Sequence, residues 1–123
     1  MPASEVNKKD VQIAQDFASD FFNTQNKGEY YEFRDNVSYG VKKDLNKGNQ
    51  KAASLQMKEE IGDFQGLMFV ETWISEGGHS FQIFRFKADF EKSEEKFEIR
   101  VTINDSKKIS GILLLPWSDT ANL

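Results

Sequence analysis

Phe97-Glu98-Ile99-Arg100-Val101-Thr102-Ile103-Asn104 decides the fold class, because apolar and polar residues alternate there without a break. Successive side chains of a strand point to opposite faces, so the octet reads as a strand with one buried and one wet face. Working outward, Ser80–Phe90 carries Phe84, Phe86, Ala88 and Phe90 in alternation with Arg85, Lys87 and Asp89. Phe81 and Ile83 sit in the opposite phase, which predicts a β-bulge near residues 83–84. Leu67–Ser75 reads as a strand apolar on both faces except at Glu71 and Thr72. Lys108–Trp117 reads as the last strand, with Pro116 ending its pairing.

Short turns join these segments: Glu76-Gly77-Gly78-His79, Glu91–Glu95 and Asn104-Asp105-Ser106-Lys107. The expectation is an antiparallel meander over 67–75, 80–90, 95–104 and 107–116. Arg85 and Lys87 are then expected opposite Glu98 and Arg100 on the polar face, where such pairs contribute only about a few tenths of a kcal/mol.

Upstream of residue 67 the period changes from 2 to near 3.6. Val11, Ala14, Ala18, Phe21 and Phe22 recur at helical steps, with Ile13 and Phe17 widening the stripe. Asn7 is the expected N-cap, Asp10 favours the positive end of the helix dipole, and Lys27-Gly28 closes the run. Glu29–Asp35, with Tyr30, Tyr31 and Phe33, is expected to form a short second helix across the first. Val37, Val41 and Leu45 predict another turn or two, weakened by Gly40. After the loop Asn46-Lys47-Gly48-Asn49, the residues Ala53, Met57 and Ile61 mark a helical face that Gly62 ends. The apolar faces of the meander need cover, and these helices are the available cover. The expected fold class is therefore α+β, N-terminal helices packed on a strongly curved antiparallel four-stranded sheet in the manner of a cone.

A chain of 123 residues suits one domain, and its eleven phenylalanines compensate for an apolar content of 38%. The formal charge of -4 is spread over both halves. With no basic stripe, neither a nucleic-acid partner nor electrostatic docking on an anionic membrane is expected. There is no cysteine and one histidine, so disulfides, thiol catalysis and a transition-metal site are not expected. The longest apolar run, Ile112-Leu113-Leu114-Leu115, is far short of a membrane span of about 18 residues. The first residues lack a basic end followed by an apolar stretch, so no signal peptide is expected. Cytoplasm is the default compartment, with periplasm or secretion left open. No motif implies a cofactor.

Several stretches carry a family resemblance. These are Phe86-Lys87-Ala88-Asp89-Phe90-Glu91, Phe97-Glu98-Ile99-Arg100-Val101, and Asn104-Asp105-Ser106-Lys107-Lys108-Ile109-Ser110-Gly111-Ile112, ending in Leu115-Pro116-Trp117. Together they resemble the nuclear transport factor 2-like (cystatin-like cone) superfamily. In particular they look like a bacterial domain of unknown function often fused to an α/β-hydrolase. The first half agrees in layout: a long helix, Gly28-Glu29-Tyr30-Tyr31-Glu32-Phe33, then a helix ending at Ile61-Gly62-Asp63-Phe64. The resemblance covers residues 8–117 of a single domain. It implies a cone-shaped fold, commonly dimeric through the sheet, with an apolar pocket between helices and sheet. It implies no single activity, because the superfamily holds isomerases, dehydratases and cyclases beside non-catalytic modules and accessory domains of larger assemblies. Its catalytic members use an Asp base beside Tyr and Asp donors, or Tyr, His and Asp around a water. Neither set maps onto this chain position by position.

The candidate site residues follow from chemistry. Glu71, mid-strand among Leu67, Phe69, Val70, Trp73 and Ile74, either faces the cone as a desolvated base or sits on the open face in a salt bridge or dimer contact. Tyr30, Tyr31 and Tyr39 could bring hydroxyls to a pocket mouth, or be core-edge residues with wet hydroxyls. Trp73 and Trp117 are interface anchors or core. His79 is either an acid–base group or an exposed turn residue. The preferred reading is a non-catalytic module that binds a small apolar molecule in the cone or forms a homodimer. The alternatives are a small isomerase, dehydratase or cyclase with Glu71 as base, and an accessory domain of a larger bacterial assembly.

Overall fold

A computed structural model describes residues 8–75 and 80–119. Three helices, α1 (Lys8–Asn26), α2 (Tyr39–Asp44) and α3 (Lys47–Glu60), precede four strands. These are β1 (Phe64–Ser75), β2 (Phe81–Phe90), β3 (Phe97–Ile103) and β4 (Ile109–Pro116), all antiparallel to their neighbours in the order β1-β2-β3-β4. The meander is as expected, and the sheet stays open, with β1 and β4 as its two edges. Asn7, the Gly77-Gly78 turn and His79 lie outside the described residues.

The apolar stripe of α1 meets one face of the sheet. Ala14, Phe17, Ala18, Phe21 and Phe22 are buried together with Phe84, Phe86, Ala88, Phe90, Ile99, Val101 and Ile103. Burial of so many rings is the main favourable term for a chain this size. Ile13 remains exposed, so the stripe is narrower than the sequence suggests. Helix α1 ends where Gly28, at φ 70°, takes the left-handed turn. Gly28 N–H then donates to the Gln25 carbonyl at 2.9 Å and Glu29 N–H to the Thr24 carbonyl at 3.2 Å, the paired bonds of a Schellman cap.

Several expectations are corrected. Glu29–Arg34 forms no helix; it runs as irregular chain. Tyr31 uses its backbone N–H and carbonyl on the Gln50 side-chain amide, at 2.8 and 3.0 Å. Those groups are thereby withdrawn from any helical ladder. The rings of Tyr31 and Phe33, two residues apart, both pack on Phe17 and Phe21.

The expected bulge at residues 83–84 is also displaced. Strand β2 keeps a continuous register, and the irregularities lie in β1, between Phe64 and Gly66 and between Phe69 and Glu71, and at the β3–β4 pair beside Ile103. The extra residue at Val70 switches the phase of β1. Phe69 pairs with Phe86 on the helix side, whereas Glu71 pairs with Arg85 on the opposite side. Phe81 and Ile83 therefore share the open face with Arg85 and Lys87.

Helix α3 docks differently from its predicted face. Its buried residues are Gln50 and Ser54, while Ala53 is exposed and Met57 half-buried. Asn46 caps it by accepting from Asn49 N–H at 3.0 Å. Gly62, at φ 79°, ends the α3 segment, and a Cβ there would meet Lys92 Cγ at 2.9 Å, so only glycine fits.

Candidate functional site

An apolar cleft of about 210 Å³ opens where α1 and α3 meet the edge strand β4. Phe21 and Phe22 come from the stripe of α1, Met57 from α3, Leu45 from the residue closing α2, and Ile112 and Leu114 from β4. No lining residue is charged. Two glutamines, Gln25 and Gln50, supply its polar side chains, and both are almost fully buried.

The orientation of these amides follows from what each neighbour can do. Tyr31 N–H can only donate, so it fixes the Gln50 Oε1 position at 2.8 Å. The carbonyls of Leu45 and Tyr31 can only accept, and they hold Gln50 Nε2 at 2.8 and 3.0 Å. Gln50 Oε1 also accepts a 2.8 Å bond from Gln25, which must come from Gln25 Nε2. Gln25 Oε1 is left without a hydrogen-bond partner although the residue is only 4% exposed. Below it, Ser54 Oγ donates to the Gln25 backbone carbonyl at 2.9 Å, tying α3 to α1.

The second constellation lies on the sheet face away from the helices. Arg85 donates to Glu98 at 2.6 Å, to Glu71 at 3.1 Å and to the Ser118 carbonyl at 2.9 Å. Arg100 Nε donates to the other oxygen of Glu98. Trp73 Nε1 donates to Glu71 at 2.9 Å. The Trp117 ring covers Arg85 with its centroid 4.6 Å from the guanidinium carbon, and Lys87 approaches the same ring at 4.9 Å. Arg85 and Glu98 are 2% and 1% exposed, so the pair is no weakly coupled surface contact of the expected kind. In register Arg85 faces Arg100, and Lys87 faces Glu98. Glu98 bridges the two arginines and removes their repulsion. Burial pushes the Glu98 carboxyl up, but hydrogen bonds from Arg85 and Arg100 outweigh it and hold the group below the usual carboxylate range. The bond to Glu98, working against desolvation, raises Arg85 above its ordinary value.

Of the sequence-predicted residues, Glu71 and Trp73 are brought together by a hydrogen bond, whereas Tyr31 stands apart from them on the helix side of the sheet. Glu71 lies on the open face, bonded to Arg85 and Trp73, and takes no part in the cleft. Tyr31 is half-buried in the aromatic cluster on the helix side, where burial, aided by nearby Asp20, raises its phenol pKa. Tyr30 lines a separate hollow of about 150 Å³ with Lys47 and Lys51. Tyr39, 78% exposed, starts α2 and lines neither the cleft nor the hollow beside Tyr30. Glu71 and Tyr31 lie on opposite faces of the sheet, so those two do not form a base and donor pair.

Sequence reasoning missed the glutamines. The signal was present: Gln25 occupies the next position of the stripe after Ala18, Phe21 and Phe22, where an apolar residue is expected. Gln50 likewise stands four residues before Ser54 on the buried face of α3.

The fold and cleft define an open-sheet α+β domain with an apolar recess beside its edge strand. No known family, no curated protein and no solved structure matches the chain. Among the described residues, no helix is long and apolar enough to cross a membrane.

Proposed function

We propose that this chain is a non-catalytic module that binds a small apolar molecule in the cleft between α1, α3 and β4. The observation that carries this reading is the cleft itself: about 210 Å³, walled by large apolar side chains with no charge among them. An engineered apolar cavity of about 150 Å³ suffices for benzene, so one or two fused rings suit this space. The order of three helices before a four-stranded meander is in keeping with a nuclear transport factor 2-like relationship, which forms part of the proposal. Titration with a panel of neutral aromatic fragments, followed by NMR, tests it. Shifts are expected at the methyls of Met57, Ile112 and Leu114. A panel that leaves those methyls unmoved up to its solubility limit rules the reading out.

A second reading, a homodimer through the open sheet face, is favoured by one separate observation. Glu71, Arg85, Glu98 and Arg100 balance one another, while Met68 and Val70 stand exposed on β1. A second copy would meet that face without a clash of like charges. Light scattering on the wild type and on Met68→Lys decides it: a concentration-dependent dimer lost in the variant supports it, and a strict monomer removes it.

A further inference from the structure

The two edges of the sheet differ in how they are protected. Strand β1 is interrupted twice, between Phe64 and Gly66 and between Phe69 and Glu71, and such bulges turn an edge away from a neighbour. Strand β4 is irregular only at its start, where Ser110 is the extra residue opposite the step from Thr102 to Ile103. Ile109 N–H donates to the Asn36 carbonyl at 2.7 Å and Ser38 N–H to the Ile109 carbonyl at 2.8 Å, which covers that first residue. From Ser110 to Pro116, no other segment among the described residues bonds the outer side of the strand.

This stretch carries no charge, and Leu113 is 59% exposed. Ile112 and Leu114 lie on the helix side opposite Val101 and Ile99, yet they stay half-buried where those β3 partners are fully buried. The core is thus unfinished along β4. A row of unpaired N–H and C=O groups flanked by apolar side chains is complementary to another strand, which restores both the ladder and the cover.

We infer that β4 pairs antiparallel with β4 of a second copy about a two-fold axis near Leu113, joining the two sheets into one. Two features favour a second copy over a foreign strand. An isologous contact sets the same patch against itself, and here an uncharged apolar strand meets an uncharged apolar strand. Antiparallel pairing about Leu113 also brings Lys108, at the entrance of one strand, toward the partner's Asp119, past the exit of the other. Lys108 rests on the Asp35 carbonyl and has no carboxylate partner among the described residues. Parallel pairing would instead set Lys108 against its own copy. The contact uses backbone groups of the edge rather than the sheet face that carries Met68, and it does not depend on the cleft holding a ligand.

Light scattering, amide hydrogen exchange and two substitutions test the pairing in the full chain. A dimer is expected. Alternate amides between Ser110 and Leu115 should gain at least about tenfold protection as the concentration is raised through the dimer's dissociation constant. Leu113→Glu should weaken association at least about tenfold, because like charges then oppose each other across the axis. Met68→Lys should leave it unchanged. A strict monomer with freely exchanging β4 amides overturns the pairing and leaves the edge to a foreign strand. A dimer dissolved by Met68→Lys, with those amides still exchanging freely, assigns the contact to the sheet face and overturns it equally. Protection of the same amides in a monomer, at every concentration, assigns the edge to another segment of the same chain and overturns it too. If Leu113→Glu does not fold, wild-type exchange and Met68→Lys decide.

Discussion

Arg85 and Glu98 meet at 2.6 Å on the face of the sheet opposite α1, yet both are almost completely withdrawn from water. Trp117, the Ser118 carbonyl and the flanking Glu71 and Arg100 supply the cover. The burial makes each partner dependent on the other. Removing one leaves the opposite charge desolvated without compensation, whereas an exposed pair would lose almost nothing. Glu98→Ala is expected to lower unfolding free energy by about 3–5 kcal/mol at neutral pH. Urea denaturation followed by circular dichroism measures it, and a loss below about 1 kcal/mol would mean that water reaches the pair.

The same carboxyl sets a pH dependence. Its folded-state pKa lies below the usual 4.5, so the native state binds its proton less readily than the unfolded chain does. The associated stability is fully present above the unfolded value and is lost as pH falls through the lower folded value. Between neutral pH and about pH 3, wild-type stability should therefore decline more steeply than that of Glu98→Gln. Denaturation midpoints across that range test this; parallel curves would show that other carboxylates govern acid unfolding.

Trp117 stands just past the end of β4. Its ring nevertheless sits against Arg85 and Lys87, and its backbone N–H donates to the Lys96 carbonyl at 3.1 Å. Cation–π contacts of this kind contribute about 0.5–2 kcal/mol, more when desolvated. Trp117→Ala should cost about 2 kcal/mol, and the cost should shrink when Arg85 is already replaced, as a double-mutant cycle would show. Additive losses would make the ring a mere hydrophobic cover.

How much of this was legible depends on which interactions decide each element. The long helix, the helical turn at Val37, Val41 and Leu45, and the four strands follow from hydrophobic periodicity, which acts locally. The segment Glu29–Arg34 departs from the helical expectation because Tyr31 is held by Gln50, nineteen residues further on. The facing of Glu71 was open because one extra residue, Val70, inverts the phase of β1, and sequence alternation placed that irregularity in β2 instead. The cleft was illegible for a related reason. Its polar groups are glutamines at buried helix positions, and only the relay through Tyr31 and Leu45 shows which way they point.

Gln50 makes the last prediction, because it joins three parts of the chain through one side chain. It accepts from Tyr31 N–H and Gln25 Nε2 and donates to the carbonyls of Tyr31 and Leu45. Gln50→Leu nearly preserves volume but strands those groups in a region the side chain itself keeps dry. Each stranded group costs about 1–3 kcal/mol, less where water enters, so a loss of at least about 3 kcal/mol is expected. The damage should be local as well as global. Amide exchange at Tyr31 should accelerate to the rate of an open loop, while Ile99 and Val101 in β3 stay protected until global unfolding. Unchanged protection at Tyr31 would mean that aromatic packing alone, through Phe17, Phe21 and Phe33, fixes the segment.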